Sequence, residues 1–441
     1  MSKTPFTLKN IFLFIALSWS MFTLISCETK PSRPVTFSIF DVPMDSVECE
    51  LWLPELMAVN TSNFVNLSSK LCMVGPDKSN LVYLVDAKTG KELGYAGTVG
   101  QGPEDMQPYP QYVGKSVKGD TLFLYDYNER KVNAYLVTQT NDGLPKLKLA
   151  HKVSLLGKTD VGSMSSSYMH LCRLDNGYYV GLNSYSMTDY FLTLLDKDFN
   201  VVKEFGEQPL SGLRTNGKIK NYTNFLGSLY VRGNSIYYAA NLFSYMARYD
   251  ISGTGEITKM WSNQYATVDY EVYKEWSISF KKSETNLKGF SDMAIGKKYI
   301  FATYSGLPTA EIFLRRNSEA VSAQTLVVFN HDGAVLGRFK LNSRSHTIGL
   351  SEDEDYLYVM NTVPEVQVVR IKVRDILEKL RCYLSDEKST GKVLCQKNNI
   401  ANGSFSRMAC DYIHATGMTE EEVEALLEAM KGVVSSWKGD E

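Results

Sequence analysis

The sequence lacks the short motifs by which most enzymes and metal-binding proteins are recognised. No H-E-x-x-H, G-x-S-x-G, P-loop or protein-kinase signature occurs, and the five histidines are scattered. None of the seven cysteines belongs to a C-x-x-C or C-x-x-H pair. The sequence therefore predicts no catalytic residue, no metal ligand and no cofactor.

Excess charge is also missing, and proline is scarce. The formal net charge of the 441 residues is −2, so the chain has no basic field to hold a phosphate backbone, and we expect no nucleic-acid partner. A hydrophobic content of 44% with only 13 prolines excludes collagenous and disordered chains. The composition is that of a folded protein with one large domain or two ordinary ones.

The N-terminus has the pattern of an export signal. Two lysines precede an uncharged stretch, residues 10–26, whose apolar centre is short for a membrane-spanning helix. The stretch ends in L-I-S-C at Cys27, which resembles the lipobox of bacterial lipoproteins. The resemblance implies a signal peptide over residues 1–26, lipidation of Cys27, and a polar tether over residues 27–34. An ordinary cleaved signal and an uncleaved anchor are the alternatives.

Six further cysteines raise the question of disulfides. Their even number is compatible with pairing, because disulfides persist in envelope compartments. Buried or unpaired thiols explain the same residues equally well, and the sequence gives no connectivity. The six are Cys49, Cys72, Cys172, Cys382, Cys395 and Cys410.

Residues 35–373 consist of short runs rich in Tyr, Val, Phe and Leu, punctuated by Gly, Asn and Asp, which is typical of many strands and turns. A stricter signal is a repeated unit, in which an apolar run ends in Asp or Asn and an aromatic residue follows nine positions later. We interpret this unit as a hairpin whose turn is completed by Gly90, Asn200 or Gly333. The three copies are Asp86 with Tyr95, Asp196 with Phe205, and Asn330 with Phe339.

The distance between repeats indicates the size of a larger unit. If Asp126 and Asp250 mark degenerate copies, the copies lie about 61 residues apart on average. A four-stranded propeller blade of roughly 40 to 50 residues, lengthened by insertions, fits this interval. The sequence therefore predicts an all-β fold, a six-bladed β-propeller over residues 35–373. A pair of sandwiches and a parallel β-helix are alternatives that do not explain the period.

A propeller must also close its ring, because the first and last blades would otherwise expose unpaired strand edges. Residues Val35 to Phe40 alternate in the manner of a strand. We expect them to join Val366 to Val373 in one closing blade.

Residues 374–441 depart from the strand pattern and are expected to form a small C-terminal helical extension. A short helical signal covers Asp375 to Leu380. A longer helix is predicted near residues 419–437, where Thr419 and Glu422 form a capping box. Its apolar stripe either packs on the propeller or docks on a partner.

The first repeat is followed by a glycine-rich loop, G-T-V-G-Q-G-P-E, over residues 97–104. The loop resembles the G-x-x-G-x-G-P-x-E stretch of TolB-like six-bladed propeller lipoproteins and, more distantly, the blade ends of NHL-type propellers. Together with the lipobox and the hairpin repeats, the resemblance covers roughly residues 27–373. It implies a six-bladed fold in an envelope lipoprotein of gut anaerobes, and it implies no particular activity.

The loops that connect successive blades are the candidate ligand-binding elements. Each is expected to run from one blade's outer strand to the next blade's inner strand, and so to line the mouth of the channel. The candidate ligand-facing residues are Gly100, Gln101, Gly102, Pro103, Glu104, Arg214, Lys218, Arg344 and His346. Solvated loops without a ligand explain the same residues.

These features favour a lipid-anchored binding or scaffold protein of the bacterial cell envelope, with a protein, peptide or glycan partner. The alternative is a propeller hydrolase or lyase with a divalent metal, such as calcium, bound in the channel. Ligands of such a metal are dispersed over several strands and escape sequence motifs. We expect the protein at the outer membrane, facing the periplasm, and exposure at the cell surface stays open.

Overall fold

Six sheets of four or five strands are arranged around a central axis. The structure, a computed structural model, describes residues 38–54, 61–157, 168–183, 190–207, 227–273, 277–315, 323–361 and 366–380. Within these ranges, nearly all pairing between strands is antiparallel. Apart from two N-terminal strands, the strands of each sheet follow one another in the chain. The predicted fold class, an all-β six-bladed propeller, is confirmed.

Each of the first four blades is a meander of four consecutive strands. Blade 1 contains β3 (Asn63–Leu67), β4 (Lys70–Val74), β5 (Asn80–Asp86) and β6 (Glu92–Thr98). Blade 2 contains β7 (Gln111–Lys115), β8 (Thr121–Asp126), β9 (Lys131–Gln139) and β10 (Pro145–Ser154). Blade 3 contains β11 (Tyr168–Arg173), β12 (Tyr179–Asn183), β13 (Tyr190–Leu195) and β14 (Val201–Glu207). Blade 4 contains β15 (Gly227–Arg232), β16 (Ser235–Ala240), β17 (Tyr245–Ile251) and β18 (Ile257–Gln264).

The last two blades each receive a strand from the N-terminal segment of the chain. Blade 5 contains β21 (Phe290–Ile295), β22 (Ile300–Tyr304), β23 (Ala323–Phe329), β24 (Val335–Ser345) and, at its outer edge, β1 (Met44–Val47). Blade 6 contains β25 (Thr347–Leu350), β26 (Tyr356–Asn361), β27 (Gln367–Lys372) and β2 (Glu50–Leu53). A hairpin of β19 (Tyr270–Tyr273) and β20 (Ser277–Phe280) precedes blade 5, and the short helix α1 (Thr309–Phe313) follows β22.

The first strand of every blade faces the axis. Each of these inner strands contacts the inner strand of the next blade, and β25 of blade 6 contacts β3 of blade 1. The ring is therefore complete.

The hydrophobic core is divided among the junctions between blades. The described residues form six buried clusters, and each cluster joins the facing sheets of two neighbouring blades. Blades 1 and 2, for example, share Leu84, Met106, Leu122 and Tyr135. Because one blade cannot bury both of its faces alone, each blade depends on two neighbours for its stability.

The repeated hairpin units are confirmed, and their turns show why the Asp or Asn is required. The Asp86 carboxylate accepts hydrogen bonds from the main-chain N–H of Lys88 and Thr89, and Gly90 has a φ of 72°. Asn330 accepts in the same way in blade 5. In blade 3 the positive φ belongs to Phe199, at 65°, and not to Asn200 as expected.

Ring closure uses a different segment from the one expected. Strand β2 pairs with β27, with Glu50 opposite Arg370 and Leu53 opposite Val368. The expectation that Val35 to Phe40 would close the blade is wrong, because Ile39 and Phe40 lie in a 3-10 helix (Ile39–Asp41) and residues 35–37 fall outside the described ranges. The Ile39 side chain is fully buried between blades 4 and 5 instead.

Both ends of the described chain reinforce blades 5 and 6. Strand β1 pairs in parallel with β24. A helix at residues 373–380, named α2, confirms the short helical signal, and its Ile376 and Leu380 are buried against both blades. Lys379 Nζ forms an ion pair with Asp45 of β1, at 3.0 Å.

Several predictions fall outside the described residues. They concern Cys27, the tether at residues 27–34, the helix near residues 419–437, and Cys382, Cys395 and Cys410. Cys49, Cys72 and Cys172 are described, and all three are free thiols. In the described part of the chain, no helix combines the length and apolar character needed to cross a membrane.

We predict that the closing strand contributes strongly to stability through one of its faces. Leu53 is 6% exposed and packs between blades 6 and 1, whereas Leu51 on the same strand is 53% exposed. Leu53→Ala should lower the free energy of unfolding by about 2–5 kcal/mol, because it opens a cavity at the closing junction. Urea denaturation measures this loss. Leu51→Ala is the matched control and should cost less than about 0.5 kcal/mol; equal losses in the two variants would contradict the closure described above.

Candidate functional site

A cavity of about 410 Å³ lies on the propeller axis. Residues from the inner strands of all six blades line it, together with the turns that follow these strands. Its volume is within the range of roughly 300–1,000 Å³ that is typical of ligand pockets. The cavity is the candidate functional site.

Charged side chains concentrate where the inner strands end, which we call the strand-end mouth. Lys115, Arg173 and Arg232 are the last residues of β7, β11 and β15, and all three line the cavity. Lys297, two residues after β21, adds a fourth cation. The carboxylates in the lining are Asp175, Glu352 and Glu354.

Hydrogen bonds join every pair of neighbouring blades at this mouth, and we call this set the belt. Most of its members are side chains that donate to main-chain carbonyls of an adjacent blade, so these carbonyls have hydrogen-bond partners. Around the ring, the bonds are Lys115 Nζ to Asn66 O (2.7 Å), Asn66 Nδ2 to Leu350 O (2.7 Å), Lys297 N to the Glu354 carboxylate (2.9 Å), Arg232 Nη1 to Ile295 O (2.9 Å), Asp175 N to Gly233 O (3.1 Å) and Arg173 Nη1 to Lys115 O (3.5 Å).

Glu354 is a strained member of the belt. Its φ is 64°, in the left-handed region, where a non-glycine residue costs on the order of 1 kcal/mol. The Glu354 carboxylate offsets this cost by accepting the Lys297 main-chain N–H and by pairing with Arg232 Nη1 at 3.2 Å. An added Cβ on Gly296 would lie 2.9 Å from Glu354 Oε2, so a glycine is needed for this approach.

A second set of contacts joins the blades nearer the starts of the inner strands. Asp292, which is 7% exposed, accepts from Tyr230 Oη of blade 4 at 2.6 Å and from the Ile348 N–H of blade 6 at 2.7 Å. Burial raises the pKa of Asp292 to about 7, against the opposing effect of these hydrogen bonds. His170 accepts from the Leu229 N–H at 2.8 Å, and burial lowers its pKa to about 4, so the ring is neutral near pH 7.

The glycine-rich loop connects blades 1 and 2, and none of Gly100, Gln101, Gly102, Pro103 and Glu104 lines the central cavity. The Glu104 carbonyl accepts a hydrogen bond from Tyr135 Oη at 2.7 Å, while the side chains of Gln101, Pro103 and Glu104 are exposed.

The positions of Gly100 and Gly102 are explained by the lack of space for a Cβ atom. The Asp105 carboxylate accepts from the Gly102 N–H and from Thr98 Oγ1. An added Cβ on Gly100 or Gly102 would lie 2.5 or 2.7 Å from Asp105 Oδ2. The motif therefore shapes the crossover around a carboxylate, and a role for the loop in binding stays a prediction.

The other predicted ligand-facing residues are not brought together with this loop. Arg344 lies in β24 and His346 in the link between blades 5 and 6, where the His346 N–H donates to Met360 O at 2.9 Å. Neither residue lines the central cavity. Arg214 and Lys218 lie outside the described residues.

No group of three or more His, Cys, Asp or Glu side chains in the described ranges is arranged to hold a metal ion. The channel ligands that the enzymatic alternative requires are thus not found in that part of the chain.

The sequence interpretation missed the strand-end mouth. A usable signal was present, because three consecutive blades end their inner strands on a basic residue, namely Lys115, Arg173 and Arg232. These residues are 58 and 59 positions apart, close to the blade repeat, so their spacing could have placed them at one end of the channel.

Comparisons with known proteins support the fold. No family model and no curated protein sequence matches the chain. The crystal structure of a protein from Bacteroides fragilis NCTC 9343, inferred to be exported, superposes with a TM-score of 0.50 at 13% identity, over 76% of this chain and 98% of that one. This likeness supports the six-bladed β-propeller fold of the chain.

Two other solved structures are more distant. U3-55K gives a TM-score of 0.42 at 9% identity, over 73% of this chain and 98% of that one. BamB from Moraxella catarrhalis gives 0.35 at 12% identity, over 72% and 86%.

We predict that Asp292 makes the protein less stable as the pH rises from about 4 to about 7. The folded state keeps the Asp292 proton through this range, because its pKa is raised to about 7, whereas the unfolded chain releases it near the ordinary value of 3.8. The folded state thus binds more protons, and its free energy of unfolding falls as the pH increases.

Urea denaturation of the wild type and of Asp292→Asn across this pH range measures the effect. The Asp292→Asn variant should lose the pH-dependent part of the free energy of unfolding, about a few kcal/mol. This loss is read from the shape of the pH profile and not from the absolute stability of the variant. Asp142→Asn, at an exposed turn, is the control. Parallel pH profiles for the wild type and Asp292→Asn would show that Asp292 titrates alike in the folded and unfolded states.

Proposed function

We propose that the protein is a lipid-anchored binding or scaffold protein of the bacterial cell envelope, whose strand-end mouth receives a protein, peptide or glycan partner. The observation that supports a binding role is the mouth itself, where four cations and three carboxylates from all but one of the blades surround an open cavity. Their main-chain neighbours are tied by the belt, so a ligand meets groups that are already ordered. Preorganisation of this kind reduces the entropy cost of binding.

The envelope location rests on the sequence pattern at Cys27 and on the resemblance to TolB-like lipoproteins. The B. fragilis neighbour, inferred to be exported, is in keeping with this location. For the metal-dependent enzyme, no observation in the described ranges offers a ligand group. Binding is therefore the function with positive support.

We predict that the mature protein begins at an acylated Cys27. Mass spectrometry of the membrane-extracted protein should detect the lipid on this residue. Bacterial lipoproteins of this kind carry more than one lipid chain, and several chains are needed because a single one anchors weakly. Cys27→Ala should release the protein from the membrane fraction or block its processing. A soluble mature form that begins at another residue would refute the anchor and leave the binding role untouched.

We predict that partner binding depends on the strand-end mouth. Arg173→Glu places a negative charge in the cavity lining, and the yield of partner captured from envelope extracts should fall by about tenfold or more, as expected when a charged contact is reversed at a binding site. Lys148→Glu, the same charge reversal on an exposed residue of the outer strand β10, should leave the yield unchanged.

Melting temperatures of both variants show whether the fold is intact. Equal capture by a folded Arg173→Glu variant and by the wild type would place the binding surface away from the mouth.

A further inference from the structure

A recess adjoins the strand-end mouth beside blade 4. Its volume is about 610 Å³, and it shares Asp175, Arg232 and Lys297 with the lining of the central cavity. Its other polar lining residues are Ser235, Tyr237, Arg248 and His331. In the described residues, this recess has three cationic side chains and one carboxylate, that of Asp175.

The far wall of the recess is rigid. Arg248 donates four hydrogen bonds. Its acceptors are the Asp250 carboxylate (3.0 Å from both Nε and Nη2), Ser235 Oγ (3.3 Å) and His331 O (3.1 Å). Trp261 Nε1 donates to the same His331 carbonyl at 2.7 Å. The turn of blade 5 that carries His331 is thus fixed to blade 4.

The His331 ring and the Tyr237 hydroxyl satisfy each other. His331 Nε2 lies 3.0 Å from Gly296 O, which can only accept, so Nε2 carries the hydrogen in the neutral ring. The other ring nitrogen, Nδ1, then accepts from Tyr237 Oη at 2.7 Å. Both groups are wall elements whose hydrogen bonds stay within the protein.

Arg232 is different, because one edge of its guanidinium is unused. Its Nη1 makes both of its contacts, to Ile295 O at 2.9 Å and to Glu354 Oε1 at 3.2 Å. No acceptor among the described residues bonds to Nε or Nη2 of Arg232. These two atoms present parallel N–H groups, the geometry that grips a carboxylate, sulfate or phosphate with two hydrogen bonds.

Lys297 adds a second source of donors. Its side chain is exposed, and its Nζ donates to no described side chain, although its charge helps to lower the pKa of Asp353. Its main-chain N–H is fixed to the Glu354 carboxylate, which also holds Arg232. The Glu354 carboxylate therefore holds both the Arg232 guanidinium and the main chain of Lys297.

We propose that this recess binds an oxyanion group of the ligand, a carboxylate, sulfate or phosphate, between the free guanidinium edge of Arg232 and the ammonium of Lys297. The proposal deepens the proposed function and rests on it, since the recess opens into the strand-end mouth. Asp175 at the rim accepts hydrogen bonds from neighbouring hydroxyl or amino groups of the ligand and opposes a second anionic group.

Simple anions test the recess directly. Binding of inorganic sulfate, inorganic phosphate and acetate to the mature protein is measured by calorimetry, each against sodium chloride of equal ionic strength. At least one oxyanion should bind where chloride does not. Preference for sulfate or phosphate would identify a sulfated or phosphorylated ligand, and preference for acetate a carboxylate ligand.

Two variants assign the binding to the recess. Arg232→Lys keeps the charge and loses the paired N–H edge, and Lys297→Gln removes an exposed charge with little risk to folding. Each should weaken oxyanion binding by about tenfold or more, the loss expected for a charge-assisted hydrogen bond. Lys148→Gln, on the outer strand of blade 2, should bind like the wild type.

Equal effects of chloride and every oxyanion would overturn the proposal, as would unchanged binding in both recess variants. If no oxyanion binds while partner capture still depends on Arg173, only this inference fails. If an oxyanion binds at Arg232 and Lys297 but no envelope partner depends on the mouth, the proposed function fails.

Discussion

The pairing of β2 with β27 is the constraint on which the rest of the propeller depends. Each blade buries its two faces against its neighbours, so an open ring would leave one face of blade 6 and one of blade 1 in water. The four residues of β2 help to prevent this: Leu53 is buried in the junction, and Trp52 packs against the same cluster. Strand β1 and helix α2 support the closure from outside, since Lys379 of the helix pairs with Asp45 of the strand. Short segments at both ends of the propeller sequence thus stabilise the closed ring.

Closure also determines which polar groups are available at the mouth. A closed ring brings six strand ends together, and their carbonyls need donors because they are withdrawn from water. The side chains of Lys115 and Asn66 donate to such carbonyls. Between blades 4 and 5, Nη1 of Arg232 donates to the Ile295 carbonyl, and the Nε and Nη2 atoms of Arg232 take no part in the belt. The belt therefore leaves the Nε and Nη2 edge of Arg232 without an acceptor among the described residues.

The parts of the fold that follow from local chemistry could be predicted from the sequence. Asp86 and Asn330 announce hairpins because a side-chain acceptor and a following glycine determine the turn within five residues. The closing strand could not be predicted in this way. Residues 35–40 alternate more regularly than Glu50–Leu53, yet Ile39 is drawn into the junction of blades 4 and 5, where its side chain is fully buried. Which edge a short segment covers depends on a partner more than 300 residues away.

The candidate site illustrates the same limit from the other direction. The loop at residues 97–104 is conspicuous in the sequence because of its glycines, but Gly100 and Gly102 accommodate the Asp105 carboxylate. Arg232 and Lys297 carry no motif, and both line the recess because blades 4 and 5 are neighbours. Glu354, from blade 6, then binds both while holding a strained backbone angle. Since one carboxylate serves both the belt and the recess, stability and binding are physically coupled at Glu354. Substitutions at Arg232 and Lys297 separate the effect on stability from the effect on binding. Arg232→Lys preserves the charge of a belt residue, and Lys297→Gln leaves every belt hydrogen bond in place, because the belt uses only the main-chain N–H of Lys297.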